Sequence, residues 1–83
     1  MPDTQTHFSL ADLETGREAV VVEFKAGRAV TSRLASLGLT PGVRVNMVQN
    51  YGRGPLIVTV RGTRVALGRG EAAKILVERG NRV

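Results

Sequence analysis

The chain has 83 residues with no cysteine and no tryptophan, and twelve basic against seven acidic residues give it a net charge of +5. That length makes one small domain burying roughly 60–65% of its unfolded surface, and the missing cysteines exclude a disulfide framework, a thiolate metal site and a cysteine nucleophile. No apolar run approaches the ~20 residues that span a bilayer and the polar start does not read as a signal peptide, so a cytoplasmic protein is expected, whose arginine-rich charge favours an anionic partner or surface.

Met1 to His7 is polar and expected to fray, as is Gly80 to Val83 at the other end. Between them the whole of 1–83 reads as a single domain. Ser9 and Asp12 stand at the spacing of a helix start, and Leu10 and Leu13 share one face, which predicts a short turn ended by Glu14-Thr15-Gly16. Arg17 to Lys25 holds the β-branched run Val20-Val21-Val22 and predicts a first long strand. Simple alternation puts Val20, Val22 and Phe24 on one face and Val21, Glu23 and Lys25 on the other.

The most specific local pattern runs from Val30 to Val45. Val30, Leu34 and Leu37 form one apolar stripe of a helix about two turns long. Gly38 follows as a left-handed helix stop, with Leu34 and Leu39 as the pair expected to touch across it. Pro41 prevents the helix from resuming, and Val43, Val45 and Met47 then alternate, so the period changes from 3.6 to 2. This second strand is expected from about Val43 to Asn50. Tyr51 to Pro55 reads as a loop, Leu56 to Arg61 as a third strand, Gly62 as a tight turn and Thr63 to Leu67 as a fourth strand. Glu71 to Lys74 suits a helical turn and Ile75 to Val77 a last strand. Five short strands and one short helix predict a mainly β fold, a small closed antiparallel barrel.

The residues offer little to catalysis. His7 is the only histidine and stands at the polar end, and Asp12, Glu14, Glu18, Glu23, Glu71 and Glu78 are scattered over turns and exposed strand positions. No nucleophile–base pair and no carboxylate pair can be assembled from them, so no enzyme and no cofactor are expected. An intrinsic metal site is not expected either, since such sites need three or four converging ligands. His7, with Asp3 or a nearby glutamate, is a candidate only for an adventitious surface ion. The two Gly-Arg-Gly triplets, 52–54 and 68–70, lack the strand, lysine and helix of a phosphate-binding loop and read as turns. Arg28, Arg33, Arg44, Arg53, Arg61, Arg64, Arg69, Lys74, Arg79 and Arg82 could line a phosphate-contacting face. Base-stacking platforms are scarce, however, with Tyr51 the one exposed aromatic expected, so nucleic-acid binding stays the alternative.

One resemblance covers nearly the whole chain. Arg33-Leu34-x-x-Leu37-Gly38-Leu39-x-Pro41-Gly42-x-x-Val45 resembles the signature of the ferrous iron transport protein A (FeoA) family. It continues through Gly54-Pro55-Leu-Ile-Val-Thr-Val60, Gly62, Val65-Ala66-Leu67-Gly68-Arg69 and Ala72-x-x-Ile75-x-Val77. The resemblance implies an SH3-like barrel and a cytoplasmic accessory of the membrane transporter FeoB, which carries a G-protein domain. A similar domain ends iron-dependent repressors, but no winged-helix segment precedes it here, so a free-standing member is expected. For the partner surface, the helix face opposite Val30, Leu34 and Leu37 offers Ser32, Arg33 and Ser36, and the 51–55 loop offers Tyr51 and Arg53. Tyrosine and arginine are favoured interface anchors.

Overall fold

In a computed structural model, residues 7–80 are described. Six strands make one antiparallel sheet: β1 (His7–Ser9), β2 (Glu18–Phe24), β3 (Arg44–Gln49), β4 (Leu56–Val60), β5 (Thr63–Leu67) and β6 (Ile75–Arg79). Two helices interrupt it, α1 (Arg28–Ser36) and the single turn α2 (Arg69–Ala72). The ladder order is β1-β6-β2-β3-β4-β5.

The strand pattern read from alternation holds best in the middle of the chain. Leu56, Val58 and Val60 of β4 are buried, as are Val65 and Leu67 of β5 and Val45 and Met47 of β3. Register lines them up across the sheet: Ala19 beside Val45 beside Val60, and Met47 beside Val58 beside Val65. Leu10, Leu13, Val21, Leu34, Leu39, Ala72, Ile75 and Val77 complete the core, and among the described residues no polar or charged residue is buried. Burial of that apolar area is the main term holding a domain of this size together.

α1 ends as its sequence predicts. Gly38 has φ +94, the Leu39 N–H donates to the Leu34 carbonyl at 3.1 Å and the Gly38 N–H to that of Ala35 at 2.9 Å. These are the two hydrogen bonds of a Schellman ending. The stripe itself needs correction. Leu34 is fully buried and Val30 half-buried, but Leu37 is 36% exposed, and Leu39 beyond the stop fills the core instead. The left-handed residue redirects the chain at the helix end, so the apolar contact passes to the residue after it. A Cβ at Gly38 would meet only Arg61 and Val60, at 3.8–4.0 Å, so a substitution there is opposed by backbone conformation and not by crowding. Gly38→Val is therefore expected to cost about 1–2 kcal/mol, plus any capping it disturbs. In a domain this small, a melting temperature lower by roughly 4–16 °C would register it.

Four further expectations change. First, β1 is a strand where fraying is expected to include His7: His7 pairs with Glu78, Phe8 with Val77 and Ser9 with Leu76. Gly80 is likewise held, its N–H donating to the Glu18 carbonyl at 3.1 Å and its carbonyl accepting from Arg44 Nη1 at 3.1 Å. The rest of both tails, 1–6 and 81–83, lies outside the described residues.

Second, β2 does not alternate cleanly. Its register with β6 shifts between Val21 and Glu23, a bulge that breaks the parity of Val20, Val22 and Phe24. Ala19 and Val21 are the buried residues of this strand, and Phe24 packs at the core margin from beyond the bulge.

Third, α2 starts at Arg69, two residues before the predicted turn, because the Glu71 carboxylate reaches back to accept from the Gly68 N–H at 3.2 Å. Fourth, the ladder does not close, since β1 and β5 stand at its two ends. The 3-10 turn Leu10–Asp12 and α2 bridge them, with Ser9 Oγ donating to the Ala72 carbonyl at 3.3 Å. Ser9 also caps the 3-10 turn by accepting from the Ala11 N–H at 3.0 Å.

A candidate partner surface around helix α2

The candidate surface is built from three separate pieces of chain that α2 draws together. α1 carries Arg33 on its last turn, and the Arg33 guanidinium Nη1 pairs with the Glu71 carboxylate on α2. The Arg33 side chain is 56% exposed and that of Glu71 27%, so the pair is open to solvent on one side. Exposed pairs contribute about 0–1 kcal/mol, so this one orients Arg33 more than it stabilises the fold. Ser36 Oγ donates back to the Arg33 carbonyl at 2.7 Å and is spent on its own helix.

On the other side of α2, Arg69 holds the loop that follows β3. Its Nη2 donates to Asn50 Oδ1 at 2.7 Å and its Nη1 to the Ala11 carbonyl at 3.4 Å, while Nε is buried without a partner among the described residues. Asn50 uses both ends of its amide. Nδ2 donates to the Ala11 and Leu13 carbonyls at 3.0 and 2.8 Å, and Oδ1 accepts from the Gly52 N–H at 3.0 Å. Only one orientation of the amide satisfies all four contacts. The Asn50 backbone is tied as well, to Thr15 Oγ1 at 2.9 Å. The loop leaves this anchor with Gly52 and Gly54 left-handed, as its glycines predict, and Tyr51 projects at 75% exposure beside exposed Arg53.

The four residues singled out from sequence thus fall on two sides of one short helix, Arg33 and Ser36 on α1, Tyr51 and Arg53 on the loop. Asn50 and Arg69, which place the loop, were not among them. An asparagine before a glycine-rich loop carries a turn signal, but its partners lie 37 to 39 residues away, on the 3-10 turn and the residue that ends it, and 19 away on α2.

His7 sits apart from this surface. Its Nε2 is 3.2 Å from Glu78 Oε1 across the β1–β6 pair, while Asp3 lies outside the described residues. Among the described residues no group of three or more His, Cys, Asp or Glu side chains could hold a metal ion. Glu14, Glu18, Glu23 and Glu71 are each paired with Arg17, Arg44, Lys25 and Arg33 in turn. A cleft of about 440 Å3 opens beside β1, lined by Phe8, Asp12, Leu13, Glu14, Arg17 and Arg79, with the Arg79 guanidinium 5.4 Å from the Phe8 ring centre. Two carboxylates, Asp12 and Glu14, and two arginines, Arg17 and Arg79, line it, so its formal charges balance. No helix of the described residues is long and apolar enough to cross a membrane.

Comparison with known proteins agrees with the motif order. The FeoA domain model matches residues 8–79. A Methanocaldococcus jannaschii protein provisionally named Fe(2+) transport protein A is 37% identical over 71 residues, covering 86% of this chain and 85% of that one. The crystal structure of an iron uptake regulatory protein, FeoA, superposes with a TM-score of 0.85 at 31% identity over 89% of this chain and 99% of that one. Zinc-complexed FeoA from Stenotrophomonas maltophilia, described as a prokaryotic SH3 domain protein, superposes with a TM-score of 0.76 at 36% identity, covering 86% and 89%. A manganese-dependent transcriptional repressor shares the fold at 21% identity, with a TM-score of 0.83, this domain covering 44% of its length. The fold is thus SH3-like, and the chain belongs to the FeoA domain family of ferrous iron transport proteins.

Proposed function

We propose that this protein is a cytoplasmic, non-catalytic regulator of a membrane ferrous iron transporter of the FeoB type, binding its G-protein portion through the surface around α2. Family membership supports the iron-uptake setting, and the Stenotrophomonas maltophilia relative is itself proposed as a ferrous iron transport activating factor. The observation that carries the surface is local. Two exposed anchors, Arg33 and the Tyr51–Arg53 loop tip, are held on either side of α2 by the Arg33–Glu71 and Arg69–Asn50 contacts, so the binding face is prepared before any partner arrives.

The test is titration calorimetry of Arg33→Glu and Tyr51→Ala against the transporter's cytoplasmic portion, with thermal melts alongside. Each variant is expected to stay folded and to bind roughly 5- to 30-fold more weakly, the loss typical of an interface anchor. Two folded variants that bind like the parent would remove this surface from consideration.

A further inference from the structure

We propose that the outer edge of β5 is a docking edge for an extended acidic segment of a partner protein, which adds to the sheet as a further antiparallel or parallel strand. This goes beyond the regulator reading, since it concerns the backbone edge of β5 and does not depend on which transporter is involved.

The edge follows from the hairpin that precedes it. Arg61, at φ +52, and Gly62, at φ +80, form the two-residue turn between Val60 and Thr63. Left-handed backbone at both positions is the type I′ turn, which makes Val60 and Thr63 a mutually hydrogen-bonded pair. Antiparallel pairing then alternates, so Thr63, Val65 and Leu67 direct their N–H and C=O groups to β4, and Arg64 and Ala66 direct theirs outward. β5 pairs only with β4, and none of the outward groups meets a partner among the described residues. Both side chains are exposed, while Val65 between them and Leu67 after them are buried, so the edge is rigidly seated from beneath. Ala66 is small and lets a second backbone approach.

Charge decides the occupant. Arg61 and Arg64 are exposed and neither forms an ion pair among the described residues, whose carboxylate pairs are with His7, Arg17, Lys25, Arg33 and Arg44. A second copy of the chain is disfavoured: joining two such edges would bring Arg61 and Arg64 of both copies into one short ladder, where like charges repel. A segment with carboxylates on alternate residues meets the opposite situation. Its acidic side chain opposite Arg64 pairs favourably, and its backbone satisfies the four outward groups. Arginine at residue 61 also occupies a left-handed position that glycine or asparagine fills with less strain, which keeps a cation at the mouth of the edge at some conformational cost.

The probe is a blocked peptide of about eight residues alternating Thr and Glu, enough to pair along the strand. Its lysine counterpart and heparin serve as controls, and binding is followed by amide chemical shifts and hydrogen exchange of the whole chain. The expected result is shifts centred on Arg64 and Ala66, slowed exchange of their amides, and no effect of the lysine peptide. Ala66→Pro, which removes an outward N–H at an edge position where proline is tolerated, should weaken binding roughly tenfold, as should Arg64→Glu. Should Ala66→Pro fail to fold, Arg64→Glu and the exchange data decide alone. No slowed exchange at these two amides, the same shifts with heparin, or protection that rises with protein concentration in the absence of peptide would each overturn the proposal.

Discussion

Leu34→Ala is expected to lower the free energy of unfolding by about 3–5 kcal/mol, the cost of truncating a fully buried leucine and leaving a cavity. Leu34 is the one buried residue of α1, so its side chain is what seats the helix on the sheet. The neighbours cannot collapse easily into the space. Leu39 is already committed beyond the left-handed stop, and the Leu34 carbonyl is held by the N–H groups of Leu37 and Leu39, at 3.0 and 3.1 Å. For a chain of this size the total stability is on the order of 4–12 kcal/mol, so the variant is expected to be partly unfolded at physiological temperature. Urea titration measures the loss. A value below about 1 kcal/mol would mean that α1 is held by its ends and not through its buried leucine.

Asn50→Leu is expected to cost roughly 2–4 kcal/mol, because it strands groups on three pieces of chain at once. The Ala11 and Leu13 carbonyls lose their side-chain donor, the Gly52 N–H loses its acceptor, and Arg69 loses the stronger of its two hydrogen bonds. The exposed Arg33–Glu71 pair has no comparable reach, which is why the larger effect belongs to the neutral amide. Exchange of the Gly52 amide is expected to speed up more than that of the β4 strand, showing that the loop with Tyr51 and Arg53 has come free. Combining Asn50→Leu with Arg69→Ala should cost less than the two losses added together, since each removes the other's partner. Strict additivity would show that the two side chains act independently.

Local rules were sufficient where a residue's environment is its own neighbours. Gly38, Pro41 and the change of period after it determine the end of α1 and the start of β3, because a left-handed stop and a proline constrain φ directly. The inward faces of β3, β4 and β5 follow from alternation, and the Arg61-Gly62 turn joins β4 to β5 with no long-range help. The residues that carry the family resemblance, Leu34, Gly38, Leu39, Gly62 and Val65 among them, are these same helix-stop, turn and core positions, so they report fold more directly than they report a binding face.

Tertiary structure decided the remainder, and each case involves partners distant along the chain. β1 exists because β6, some 70 residues later, offers it an edge; three residues have too little period of their own to announce a strand. The bulge in β2 reconciles a continuous valine run with a partner strand of different register, a mismatch that no single strand reveals. Closure by the 3-10 turn and α2, in place of strand pairing, depends on where the two ends of the ladder meet. The arrangement around α2 has the same origin: sequence singles out Arg33 but neither Asn50 nor Arg69, and only folding places two carbonyls, a carboxylate and an amide within hydrogen-bonding distance of these three side chains.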